Sequence, residues 1–140
     1  MSNPILLKIK WEFKEGRRDD FITNQVALMK VMKDDHPGVI CYHAANHDTY
    51  SEWTEIYSND DVFRAHLANE KGKEPLGVCI DASAKIICEC YGNPDEESKK
   101  ILAGFGTTYP TNSGENSFIV HPNATNDSKV SGRTKKCIYC

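Results

Sequence analysis

The chain has 140 residues, room for one domain and a modest additional segment. Its 39% hydrophobic and 26% charged residues suit a packed globular core, and a formal charge of -3 argues against a nucleic-acid binder, which usually carries a basic face. No apolar run approaches the ~18 residues that crossing a bilayer requires.

Met1-Ser2-Asn3-Pro4 leads directly into a strand-like segment, without the basic and apolar regions of a secretory signal, so a cytoplasmic protein is expected. From Ile5 to Phe13 the pattern alternates, with Leu7, Ile9, Trp11 and Phe13 on one face and Lys8, Lys10 and Glu12 on the other. Gly16 breaks that first strand. A helix is predicted from Arg18 to about Asp35, with Phe21, Ile22, Gln25, Val26, Leu28, Met29 and Met32 as its stripe. Pro37-Gly38 ends it.

A second strand follows from Val39 to His47, with Val39, Cys41, His43 and Ala45 alternating against Ile40, Tyr42 and Ala44. Asn46-His47-Asp48-Thr49 reads as a hairpin turn into a third, antiparallel strand from Tyr50 to Tyr57. Ser58-Asn59-Asp60-Asp61 caps a second helix carrying Val62, Phe63, Ala65, His66 and Leu67. Residues 69–74 interrupt it, and Pro75 restarts a short helix through Ile80. Lys85 to Tyr91 forms the fourth strand.

The order β-α-β-β-α-β is the split βαβ arrangement of the ferredoxin-like α+β fold. Residues 1–94 make up that domain, closed by Gly92-Asn93-Pro94. Residues 95–121 form an extension packing on the core or on a partner subunit. Within it Asp95 to Ala103 reads as a helix, and Ser117-Phe118-Ile119-Val120 as a patch suited to an edge strand. Residues 122–140 are polar and lack a core pattern, as in a disordered basic tail.

Glu55 and Tyr57 on strand three, the acidic cap Asp60-Asp61, and His66 one turn past Phe63 together resemble the strand-to-helix signature of the antibiotic biosynthesis monooxygenase superfamily. The resemblance implies a homodimeric α/β barrel whose sheets face each other, with a ligand cavity between sheet and helices in each protomer. It also implies oxidation of small aromatic or quinol-type molecules by O2 with no cofactor. Haem-degrading members are expected to carry an Asn on strand one and a Trp on helix two; here strand one has no Asn, and His66 takes the helix position. The alternative function is a non-catalytic dimeric domain for small-ligand binding or stress response.

His66 is the candidate catalytic base, because an imidazole titrates near neutrality; the plainer reading is a helix-packing histidine. Trp11, Trp53 and Tyr57 are candidates for an aromatic pocket wall, or for simple core. Glu55 shares a strand face with Trp53 and Tyr57, and His43 is the remaining pocket candidate. No metal site is expected, since no two histidines fall at ligand-pair spacing on a helix. Cys41, Cys79, Cys88 and Cys90 lie in apolar patterns, as reduced thiols do. At the C-terminus, Cys137-Ile138-Tyr139-Cys140 has the form of a prenylation signal with Cys137 as the acceptor, and Lys129, Arg133, Lys135 and Lys136 outnumber Asp127 upstream. Such a tail would tether the protein to an anionic membrane. A Cys137–Cys140 redox pair and an inert tail are the other readings.

Overall fold

The computed structural model describes residues 3–110; the expectations for Ser117–Val120 and for the tail, Cys137 included, lie outside them. The elements run β1 (Ile5–Phe13), α1 (Arg18–Asp35), β2 (Val39–Asn46), β3 (Tyr50–Tyr57), α2 (Asp60–Ala68), α3 (Glu70–Asp81), β4 (Ser83–Gly92) and α4 (Glu96–Ala103). The strands form one antiparallel sheet in the order β2-β3-β1-β4, so β3 is inserted between the two strands that α1 connects. This is the ferredoxin-like α+β fold.

Period-2 alternation decides which face meets the helices. Ile5, Leu7, Ile9 and Trp11 of β1 are all buried, and they pair with Tyr57, Glu55, Trp53 and Ser51 of β3 and with Gly92, Cys90, Cys88 and Ile86 of β4. On α1 the buried residues are Phe21, Gln25, Leu28 and Met32. Val26, expected in that stripe, is 61% exposed, because the residue after Gln25 points about 100° further round the helix. The rings of Trp11 and Trp53 lie 4.6 Å apart, and Phe21 sits 5.6 Å from each, a tilted aromatic cluster joining sheet to helix.

Several boundaries differ from the sequence reading. β2 stops one residue earlier, at Asn46, and β4 spans two residues more before Lys85 and one more after Tyr91. The larger difference is α3, which begins at Glu70 and holds Pro75 in its interior. Asn69 closes α2 and opens α3, its side chain accepting from the Lys71 N–H at 3.0 Å. Packing then outweighs the proline: Gly72 and Cys79 are buried, and a Cβ at Gly72 would stand 3.2 Å from Leu28 of α1.

After β4 the described residues, 93–110, stay on the core. Asp95 accepts from the Ser98 N–H at 2.9 Å to start α4, and Arg64 of α2 donates to both Asp95 and Asp61. A Gly104-Phe105-Gly106 turn follows, and Thr108 then bonds the edge of β4 on either side of Glu89, donating to the Cys88 carbonyl at 3.0 Å and accepting from the Cys90 N–H at 2.9 Å. No helix among the described residues is long and apolar enough to cross a membrane.

Candidate active site

Between the sheet and the helices lies a cavity of about 30 Å³. Leu7, Ile9 and Trp11 floor it from β1, Trp53 and Glu55 from β3, and Tyr42 and Cys88 from the flanking strands. Leu28, Phe63, His66, Leu67, Leu76, Leu102 and Phe105 close it from the helical side. The lining carries neither Lys nor Arg, so an anionic ligand would meet no compensating charge there.

Trp53 is fixed from behind. Its Nε1–H donates to Ser51 Oγ at 3.0 Å, and Ser51 is locked in turn by Gln25 at 3.1 Å and Asn46 at 2.6 Å. Asn46 and Gln25 also exchange amide bonds in both directions. A glutamine in the middle of a buried helical stripe is thereby satisfied, and its work is to hold an indole in place.

Glu55 is 4% exposed, with no cation among the lining residues. Its Oε2 accepts from the Tyr57 hydroxyl at 2.6 Å. Tyr42, its register partner on β2, faces the same carboxyl and favours its charge, although the Tyr42 hydroxyl falls outside hydrogen-bonding geometry. Burial prevails over both phenols and raises the carboxyl pKa to about 7.

His66 is 5% exposed and ringed by aromatics: Tyr57 stacks at 5.9 Å, Tyr42 stands edge-on at 6.3 Å, and His36 edge-on at 5.6 Å. Burial first, and then the neighbouring His36, lower its pKa to about 4, so the ring is neutral near pH 7. Its Nδ1 has no partner. Trp11 Nε1 and the Tyr42 hydroxyl share that condition, and all three residues line this cavity. Buried polar atoms are nearly always satisfied, so three orphans on residues that line one cavity are an exception within this core.

Of the residues singled out from sequence, the fold brings His66, Glu55, Trp53 and Trp11 together on the lining. Tyr57 stands one layer behind, bonded to Glu55 and stacked on His66. Because Glu55 bonds Tyr57 while His66 Nδ1 is unpartnered, the carboxylate does not orient the imidazole through that nitrogen. His43 does not belong to the pocket. It is exposed on the outer face of the sheet opposite Thr54, because alternation along β2 turns Tyr42 inward and its neighbour outward. Sequence reasoning overlooked Tyr42, Cys88 and Phe105. The same alternation that grouped Tyr42 apart from His43 held the signal for Tyr42, whereas Phe105 lies in a turn and carries no periodic signal. No group of three His, Cys, Asp or Glu side chains among the described residues is placed to hold a metal ion.

No protein-family model and no curated protein matches the sequence. Solved structures do match by shape. MupZ from Pseudomonas fluorescens superimposes with a TM-score of 0.62 at 16% identity, over 87% of this chain and 97% of its own. A candidate antibiotic biosynthesis monooxygenase from Caulobacter crescentus gives 0.59 at 15% identity, over 64% of this chain and 88% of its own. Another, from Bacteroides thetaiotaomicron, gives 0.56 at 17% identity, over 62% and 85%. The chain thus has the ferredoxin-like fold of proteins named as antibiotic biosynthesis monooxygenases.

Proposed function

We propose that this protein is an oxidoreductase of the cofactor-independent monooxygenase kind, acting on a small electron-rich aromatic or quinol-type molecule in the cavity beside Glu55 and His66. The observation that carries the reading is the set of three unpartnered buried polar atoms, on Trp11, Tyr42 and His66, around one otherwise apolar cavity that also presents a carboxyl. A phenol or hydroquinone, or an anthrone in its enol form, supplies what such a site lacks: a flat apolar body with an oxygen that both donates and accepts.

For an anthrone the chemistry closes with O2 alone. The methylene loses a proton, the resulting enolate passes an electron to O2, and recombination forms a carbon–oxygen bond. Loss of water from the peroxide leaves a ketone, so one oxygen atom stays on the ring and the other departs with both hydrogens. The protein must take the first proton and keep the reacting carbon dry. With its pKa at about 7, Glu55 is the better proton acceptor at neutral pH. His66, held neutral by burial, is suited to bind the substrate oxygen through Nδ1.

The test is O2 consumption by the purified protein with a panel of hydroquinones and anthrones. Turnover is expected, with Glu55→Gln lowering kcat by roughly 10²–10⁴-fold, the usual worth of a general base. His66→Ala should act mainly on KM. Thermal stabilisation by the same compounds without O2 uptake would replace the oxygenase with the alternative, a small-ligand-binding domain.

A further inference from the structure

We propose that Phe105 and Leu76 form the door of the cavity and set the size of molecule that reaches Glu55 and His66; the proposal rests on reading that cavity as the ligand site. Among the lining residues, Tyr42, Leu67, Leu76 and Phe105 are the partly exposed ones, and the Tyr42 hydroxyl is itself buried. Leu67 lies in the last turn of α2, Leu76 mid-way along α3, and Phe105 in the turn after α4, so the cavity reaches solvent where these three elements meet.

As closed, the cavity of about 30 Å³ holds a water or two but no ring. An apolar cavity that takes benzene measures roughly 150 Å³. One wall must therefore yield, and the two walls differ in how they are held. On the sheet side, Trp11 and Trp53 are packed against each other and against Phe21, and Trp53 is tied through Ser51 to Gln25.

On the helical side Phe105 and Leu76 are held by a turn and by a helix segment that contains a proline, with Thr108 tying the chain back to β4 three residues after Phe105. Phe105 stands between Gly104 and Gly106, and Gly106 adopts φ +63 with open space where a side chain would be. The turn is closed by bonds back to the end of α4, Phe105 N–H to the Leu102 carbonyl at 3.0 Å and Gly106 N–H to the Ala103 carbonyl at 3.1 Å. Leu76 is flanked by Pro75, which removes a helical hydrogen bond, and by Gly77, which is free of side-chain packing. The wall that moves is the one carrying Phe105 and Leu76, and the volume of those two side chains limits what passes.

Calorimetric titration with phenol and with 1-naphthol tests this in the wild-type protein and in Phe105→Ala, Phe105→Leu and Leu76→Ala, each checked for a cooperative melting transition. The expected result is a tenfold or greater rise in affinity for 1-naphthol relative to phenol in Phe105→Ala. Phe105→Leu should fall in between, and Leu76→Ala should shift the same way. An unchanged naphthol-to-phenol ratio in the folded variants would overturn the door while leaving the cavity as a ligand site. Binding of neither molecule by any of the proteins would overturn both.

Discussion

Glu55 and His66 are buried in one cavity, and their shifts have opposite signs for stability. Glu55 keeps its proton to about pH 7 in the folded protein, whereas the unfolded chain releases it near 4.5. Between those values the folded state binds the extra proton, so stability falls as pH rises, by on the order of 3 kcal/mol in all. His66 loses its proton at about 4 when folded, against 6.5 when unfolded. There the unfolded state binds the extra proton, and stability rises with pH by a similar amount. Across the overlap the two slopes cancel. Denaturant titration at a series of pH values should therefore show His66→Ala losing stability, relative to wild type, as pH climbs toward 6.5. Glu55→Gln should gain relative stability from about pH 4.5 to 7. Profiles parallel to wild type in both variants would mean that neither group is perturbed. At this scale most of the site was legible: alternation places Trp11, Trp53, Glu55 and Tyr57 on one face, and the stripe of α2 turns His66 toward them. What alternation could not convey is which partner each would find. Tyr57 bonds the carboxyl two residues away on its own strand, while His66 Nδ1 is left with none.

The elements separate into those that local pattern determines and those that packing imposes. The ends of β1, α1 and β3 follow from alternation, the Pro37-Gly38 stop and the hairpin turn, and they fall where the sequence puts them. The start of α3 does not, because Pro75 argues for a helix beginning there, while Asn69 capping and the contact of Gly72 with α1 begin it earlier. That helix holds a residue of unused stability. At Gly77 an added Cβ would meet nothing within 4 Å, so Gly77→Ala should stabilise the fold by about 0.5–1 kcal/mol, read as a higher denaturation midpoint. Gly92 is the opposite case. Its φ of +104 and the Pro4 carbonyl oxygen, 2.5 Å from a Cβ placed there, oppose any side chain at the end of β4. Gly92→Ala should cost about 1–3 kcal/mol from backbone strain, with the clash adding to it. Equal midpoints for the two variants would contradict both arguments.

For the whole molecule the outer face of the sheet is the open question, because it lies opposite the cavity and carries none of its lining. Its central rows run His43, Thr54, Lys8, Glu89 and Ala45, Glu52, Lys10, Ile87, following the strand registers. Basic residues of β1 thus stand between acidic residues of β3 and β4, and Ile87 is 37% exposed beside them. Glu12 of β1 stands opposite Lys85 of β4 in the next row, so charges of both signs alternate across the face and a second copy packed on it meets no single-sign field. This supports the sheet-to-sheet homodimer that we propose for the protein in solution. Thr54→Arg would add bulk and a third positive charge next to Lys8 at the centre of that face. Sedimentation should show a dimer for the wild type and a monomer for the variant, with the melting transition still cooperative. A wild-type protein that sediments as a monomer at micromolar concentration would end the dimer proposal. The variant also separates assembly from chemistry. If the cavity on the far side of the sheet is complete within one chain, monomeric Thr54→Arg keeps its affinity for phenol; if affinity falls as the dimer dissociates, the partner helps to form the site.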